Sequence, residues 1–254
     1  MAPVTPPSTQ RLDRIDLLRA AAMLWMTVYH FCFDLDHFGL IHENFARDPF
    51  WTWQRSAIVS GFLFTAGLSQ AVALSRGLDW PRFWRRWSQV AVAALLVTAG
   101  SALMFPRSFI YFGVLHGIAV MLIVVRLTAG WGGWLWPAGA LAIAAKFIAP
   151  TVIAAMPVLE FLNAPGWNAL GFISRLPVTE DYVPLLPWLG VMWWGVAAGQ
   201  WALRHQPHWL GAADGPATGL KRGLLTLGRW SLSYYLLHQP VLMGLVAAVV
   251  WLRG

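Results

Sequence analysis

Charge is scarce in this sequence. Only 11% of its 254 residues are Asp, Glu, Lys or Arg, against about 25% in an ordinary soluble domain. Too little charge remains to cover an aqueous surface, which excludes a water-soluble globular protein. Cysteine is scarcer still. The single Cys32 excludes an intrachain disulfide, and its place inside an apolar run reads as a small buried side chain. A cleavable signal is not expected, because the first apolar run is too long and lacks the small-residue cleavage pattern. With no repeat of fixed period and no low-complexity core, the expectation is one domain over 11–254. A disordered, Pro-rich cytoplasmic tail, MAPVTPPSTQ, is expected at 1–10.

Apolar side chains are abundant: 58% of residues are hydrophobic and the mean hydropathy is +0.56. Several apolar stretches reach about 20 residues, the length that crosses a bilayer as a helix. The fold class is therefore all-α, a polytopic transmembrane helix bundle of about seven spans (roughly six to eight). Expected spans are 16–37, 51–75, 83–104, 109–127, 132–157, 184–203 and 230–252, with loops at 158–183 and 204–229. The fifth is interrupted by Lys146, Pro150 and Pro157, so it is either one kinked helix or a span followed by a short interfacial helix. Seventeen Trp residues fit this class, since indole rings favour the headgroup level.

The formal charge of +7 is spread over the connections between apolar runs, so it reads as membrane topology and excludes a nucleic-acid partner. With a cytoplasmic N-terminus, twelve of the eighteen Lys and Arg fall inside: Arg11, Arg14, Arg19, Arg76, Arg82, Arg85, Arg86, Arg126, Arg204, Lys221, Arg222 and Arg229. The acidic Asp34, Asp36, Glu43, Asp48, Glu160, Glu180 and Asp181 fall on the outer side. The N-terminus is therefore expected in the cytoplasm, and seven spans put the C-terminus outside.

Ionisable groups inside spans are costly and mark function. The first span is richest in them: Arg19 and His30 are eleven residues apart, three helical turns, so they share one face about 16 Å apart. Asp34 and His37 continue the stripe, and Asp16 sits one turn before Arg19. A carboxylate one turn from His30 has the parts of an oriented general base; the same pair could instead only bridge helices. His116 in the fourth span, at a depth like that of His30, and His238 in the inner half of the last span read equally as structural or catalytic. His42 lies in the first outer loop near the mouth of the bundle, while His205 and His208 read as surface residues. The run PRFWRRW at 81–87 alternates Arg82, Arg85 and Arg86 with Phe83, Trp84 and Trp87. It suits a ligand carrying phosphates and a flat ring, or anchors a helix at the cytoplasmic interface.

The blocks IDLLRAAAMLWMTVYHFCFDL, FLFTAGLSQ, FWRRW, YFGVLHGIA, DYVPLLPWLGV and LGRWSLSYYLLHQPVL resemble, in order, the bacterial relatives of the heparan-α-glucosaminide N-acetyltransferase catalytic domain. The likeness runs from about 11 to 245. Arg19 and His30, with ten residues between, also resemble the Arg–His signature of the related acyltransferase-3 membrane proteins, in which that His is held essential. The resemblance implies transfer of an acetyl group from cytoplasmic acetyl-coenzyme A to an amino or hydroxyl acceptor, a glycan or envelope component, on the outer side of a bacterial inner membrane. It brings His42 into competition with His30, because His42 lies one residue out of register with the family's loop histidine.

On that reading Arg82, Arg85 and Arg86 bind donor phosphates, and the thioester passes Arg19 and His238 toward His30, Asp34 and His116. The acceptor arrives near His42 and Asp181. Expected partners are acetyl-coenzyme A, the acceptor, the lipid bilayer and a second copy in a homodimer; no metal is expected. Rival readings are a transporter or lipid-handling protein on the same scaffold, and a haem protein with His30 and His116 as axial ligands.

Overall fold

The computed structural model describes residues 13–210 and 218–253; the expected tail at 1–10 and Arg11 lie outside them. Eight α-helices are present among the described residues: α1 Asp13–His37, α2 Pro49–Ser75, α3 Trp80–Met104, α4 Val114–Thr128, α5 Leu135–Ala155, α6 Leu185–His205, α7 Gly219–Arg229 and α8 Ser231–Leu252. Among those residues the only β pairing is an isolated bridge between Phe112 and Tyr182. Among the described residues, four helical stretches are long and apolar enough to cross a membrane: Pro49–Ser75, Trp80–Met104, Val114–Ala155 and Ser231–Leu252. Of the other expected spans, α1 is less apolar because it carries Arg19, His30 and Asp34, and α6 because it carries four Trp and Gln200.

The stretch Val114–Ala155 is 42 residues long, about 63 Å as one helix and twice the hydrocarbon thickness. It does not stay straight. A 3-10 segment at Ala129–Trp134 contains Gly132 at φ 57°, a left-handed conformation that glycine adopts without penalty, and the helix breaks there. α5 then ends at Ala155, and Pro157–Asn163 form a separate 3-10 turn. Of the two expectations for the fifth region, a helix followed by a short separate turn is the one found.

The expected loop at 204–229 is corrected. It holds a 3-10 turn at Pro207–Leu210 and the helix α7. The side chain of Thr218 caps α7 by accepting from the Lys221 amide at 3.2 Å. Only eleven residues long and carrying Lys221, Arg222 and Arg229, α7 has no apolar run for a hydropathy reading to find.

The chain divides into two compact units, residues 1–55 with 201–254, and residues 56–200. In the first unit α1 packs against α7 and α8. Ile15, Ala20, Met23, Met26 and Tyr29 form its buried stripe, and Leu225 and Gly228 are the buried residues of α7. A Cβ on Gly228 would lie 2.0 Å from the Asp16 carbonyl oxygen, so the two backbones touch there.

The second unit is held by close backbone approach between α2 and α6. A Cβ on Gly67 would sit 2.2 Å from the Met192 carbonyl oxygen, and one on Gly195 would sit 2.2 Å from that of Phe64. In lipid, where apolar burial gives helices little reason to associate, such small-residue contacts supply the packing. On α5, Gly139 meets Gly190 and Trp194 of α6 in the same way. α3 and α4 are joined by the Trp87 indole, which donates to the Ala119 carbonyl at 2.8 Å. At the last turn of α4, Arg126 donates to the Leu78 carbonyl at 2.6 Å and lies 4.7 Å from the ring centre of Trp80.

Replacing Gly195 by Val forces α2 and α6 apart and should cost about 1–3 kcal/mol, the usual penalty of overpacking. Gly100→Ala, where a Cβ meets nothing within 4 Å, should leave the detergent-solubilised protein at or above its normal melting temperature. Equal melting temperatures for the two variants would refute a close α2–α6 contact.

Candidate functional site

In the first unit the polar stripe of α1 begins at Asp16. Its carboxylate, 8% exposed as a residue, takes Arg19 at 2.8 Å and Arg229 of α7 at 3.8 Å. Arg19 is thus tied to Asp16, and the pair fastens α1 to the end of α7.

Further along α1, three rungs join it to α8. The hydroxyl of Thr27 donates to the Met23 carbonyl at 2.8 Å. Its oxygen is 2.7 Å from the Tyr234 hydroxyl, so Tyr234 must be the donor in that bond. One turn on, the rings of His30 and His238 lie 5.1 Å apart, edge to face. Another turn on, the Gln239 amide donates to Asp34 Oδ1 at 2.6 Å. The rungs ascend both helices together (27, 30, 34 against 234, 238, 239), so α1 and α8 run parallel. Two helices that cross a membrane in the same direction have an odd number of crossings between them.

This ladder makes the rings of His30 and His238 neighbours and corrects one sequence expectation. No hydrogen bond links His30 to Asp34, so Asp34 does not hold that ring; the carboxylate is taken by Gln239. Gln239 went unnoticed in the sequence, although a Gln beside a His and before Pro240 within an apolar run is the signal that finds it.

The polar atoms of this cluster are buried and several have no partner. Asp34 is fully buried and His238 is 8% exposed. His30 Nδ1, Asp34 Oδ2, His238 Nε2 and Gln239 Oε1 each lie away from solvent with no hydrogen bond. Buried polar groups are nearly always satisfied, and each exception calls for an explanation. Four together, on two adjacent helices, mark this cluster as the candidate site. Around it Tyr29, Phe45 and Trp51 form an aromatic wall, with Tyr29 edge-on to His30 at 5.7 Å and Phe45 stacked on Trp51 at 4.2 Å. His42 is on the surface of the first loop and His37 is exposed.

The second unit carries the other expected residues. Both ring nitrogens of His116 are engaged: Nδ1 accepts from the Gly113 amide at 3.3 Å, and Nε2 is 3.0 Å from the Thr98 hydroxyl. Thr98 gives its own proton to the Ile110 carbonyl at 2.8 Å, so His116 donates through Nε2. Both nitrogens are spent on bracing the turn before α4, and no lone pair remains for an iron. Asp181 Oδ2 accepts from the Val114 amide at 2.7 Å, at the N-terminus of α4, where a carboxylate also meets the positive end of the helix dipole.

Nearby, Tyr182 donates to the Asn168 carbonyl at 2.6 Å and Asn168 donates to the Tyr111 hydroxyl at 2.8 Å. Burial, with Tyr111 adding to it, lifts the Tyr182 hydroxyl above the ordinary tyrosine range and keeps it a donor. At the start of α3, Arg82, Arg85 and Arg86 are all exposed, and the Trp80 and Trp84 rings stack at 6.0 Å. Asp79 caps that helix and lies 3.7 Å from Arg82.

No curated protein and no solved structure matches the chain. A family model does, the catalytic domain of heparan-alpha-glucosaminide N-acetyltransferase, over residues 11–240. With nearly the whole chain under that match, the protein belongs to the heparan-alpha-glucosaminide N-acetyltransferase catalytic-domain family.

Proposed function

We propose that this membrane acetyltransferase moves an acetyl group from cytoplasmic acetyl-coenzyme A to an amino or hydroxyl acceptor on the outer side of a bacterial inner membrane. The reading adds seven spans and a cytoplasmic N-terminus, in keeping with the positive charge distribution and with the parallel course of α1 and α8. One observation carries the chemistry: the buried His30, Asp34, His238 and Gln239 cluster, with four polar atoms lacking partners. Acyl transfer needs a group that takes a proton from the acceptor beside the thioester carbon, and two neighbouring imidazoles with ring nitrogens away from solvent can supply that. The cluster's unfilled acceptor atoms favour an acceptor molecule rich in N–H and O–H groups, such as an amino sugar of the envelope. The exposed Arg82, Arg85 and Arg86 with Trp80 and Trp84 have the chemistry to take up the phosphates and adenine of the donor from the cytoplasm.

The site belongs to the helices and not to the loop. His30→Ala, which removes the ring packed edge to face on His238, should lower turnover by about 100-fold, the low end for disabling proton transfer, while the variant stays folded and still binds acetyl-coenzyme A. His42→Ala, altering an exposed side chain, should act mainly on acceptor affinity. The assignment fails if His42→Ala abolishes turnover and His30→Ala leaves it near wild type.

Replacing Arg85 and Arg86 together by Gln should weaken acetyl-coenzyme A far more than a short acetyl thioester without the nucleotide, by about 1.5–3 kcal/mol per lost charge-assisted contact. Equal weakening of the two donors would show that these arginines only anchor α3.

Orientation is open to cysteine labelling of intact cells in a Cys32→Ala background. Glu43→Cys should react with an impermeant reagent from outside and Arg85→Cys should not; the reverse pattern refutes a cytoplasmic N-terminus.

A further inference from the structure

We infer that His238 is the proton-accepting base of the acyl-transfer site, and that Asp34 Oδ2 and Gln239 Oε1 hold further N–H or O–H groups of the acceptor. The inference rests on the acyltransferase reading and assigns roles within it.

The tautomer of His238 follows from its surroundings. Its Nδ1 is 2.7 Å from the Tyr235 carbonyl oxygen. A carbonyl only accepts, so Nδ1 carries the hydrogen, and the neutral ring keeps its lone pair on Nε2. That Nε2 is buried and has no partner. The ring cannot easily turn away, because Tyr234 stacks on it with planes 11° apart and is itself bonded to Thr27. His30 has no comparable constraint: Nδ1 is unpartnered, and no hydrogen bond selects its tautomer. A base must present a lone pair in a set direction before the substrate arrives, and of the two rings only His238 is prepared to do so.

In the transfer, a lone pair on the acceptor nitrogen or oxygen forms a bond to the acetyl carbon while its proton passes to His238 Nε2. Collapse of the tetrahedral intermediate breaks the carbon–sulfur bond, and the leaving thiolate takes the proton back from Nε2. Acceptor and acetyl-coenzyme A thus become the acetylated acceptor and the free thiol, with His238 restored. Asp34 Oδ2 and Gln239 Oε1, both acceptors without a donor, are placed one turn further along α1 and next to His238 on α8. They select a molecule offering at least two more N–H or O–H groups, as an amino sugar does and a simple amine does not.

Two measurements on the purified full chain test this. Nitrogen NMR of protein with ¹⁵N-labelled histidine should show an Nδ1–H ring whose signals vanish in His238→Gln. Thiol release from acetyl-coenzyme A, with glucosamine or water as acceptor, should fall at least about 100-fold in His238→Gln, with donor affinity within about twofold of wild type. Asp34→Asn should raise the KM for glucosamine more than that for a simple alkylamine. An Nε2–H tautomer at His238, or a His238→Gln variant that keeps turnover within about threefold of wild type, overturns the base assignment alone. Failure of the wild-type protein to bind acetyl-coenzyme A overturns the acyltransferase reading, and this assignment with it.

Discussion

The hydrogen bond from Gln239 to the buried carboxylate of Asp34 is the contact on which the site depends. Asp34 has no exposed surface, and a carboxylate in such a place is tolerable only with a donor against it. Gln239 is that donor, and supplying it requires α8 to lie against α1 at this level and in this rotation. Once that register is set, His238, one residue before Gln239, is carried to the ring of His30, and Tyr234, one turn earlier, reaches Thr27. The cost of burying one charge thus fixes the position of two imidazoles. Oδ2 of Asp34 and Oε1 of Gln239 take no part in that contact and have no other partner.

Glycine sets the frame in the second unit as polar contact does in the first. Between α2 and α6 the backbones are so close that no side chain fits at Gly67 or Gly195. Contacts of that kind are rigid, because neither partner has a rotamer to change. His116, Thr98 and Asp181 serve the same end at the start of α4, where every polar atom named has a partner. The contrast between the two groups of histidines is instructive: His116 is saturated with hydrogen bonds, His238 keeps one nitrogen open, and His30 keeps its Nδ1 open.

Much of this was legible in the sequence, and the reasons for the rest are physical. The face shared by Arg19, His30 and Asp34 follows from helical period alone, since eleven residues are three turns. The break between the fourth and fifth segments was visible as length, though Gly132 as its place was not, because in an apolar run a glycine reads the same whether it bends, packs or does neither. Gly67 and Gly195 were invisible for that reason too. The partner of Asp34 was misread as His30, because spacing within one helix counts only neighbours on that helix, whereas the nearer donor comes from a helix some two hundred residues away. α7 escaped because, at eleven residues with three basic side chains, it offers a hydropathy window no apolar run.

Parallel packing of the first and last long helices bears on how such a protein could serve two sides of a membrane. Antiparallel neighbours bring opposite ends of the chain's crossings together, so their polar residues meet by chance of length. Parallel neighbours ascend in step, and a polar residue on each at the same height forms a layer across the pair. Here three such layers lie between Thr27 and Asp34 of α1, a rise of about 10 Å or roughly a third of the hydrocarbon thickness: a hydroxyl pair, an imidazole pair, and a carboxylate with an amide. The hydroxyl layer is closed, both its protons spent. The two layers above it keep open atoms. With the Thr27–Tyr234 layer closed and the two layers beyond it left open, the proposed acyl transfer has its acceptor arrive from the His37 end of α1, with the Thr27–Tyr234 bond as a floor.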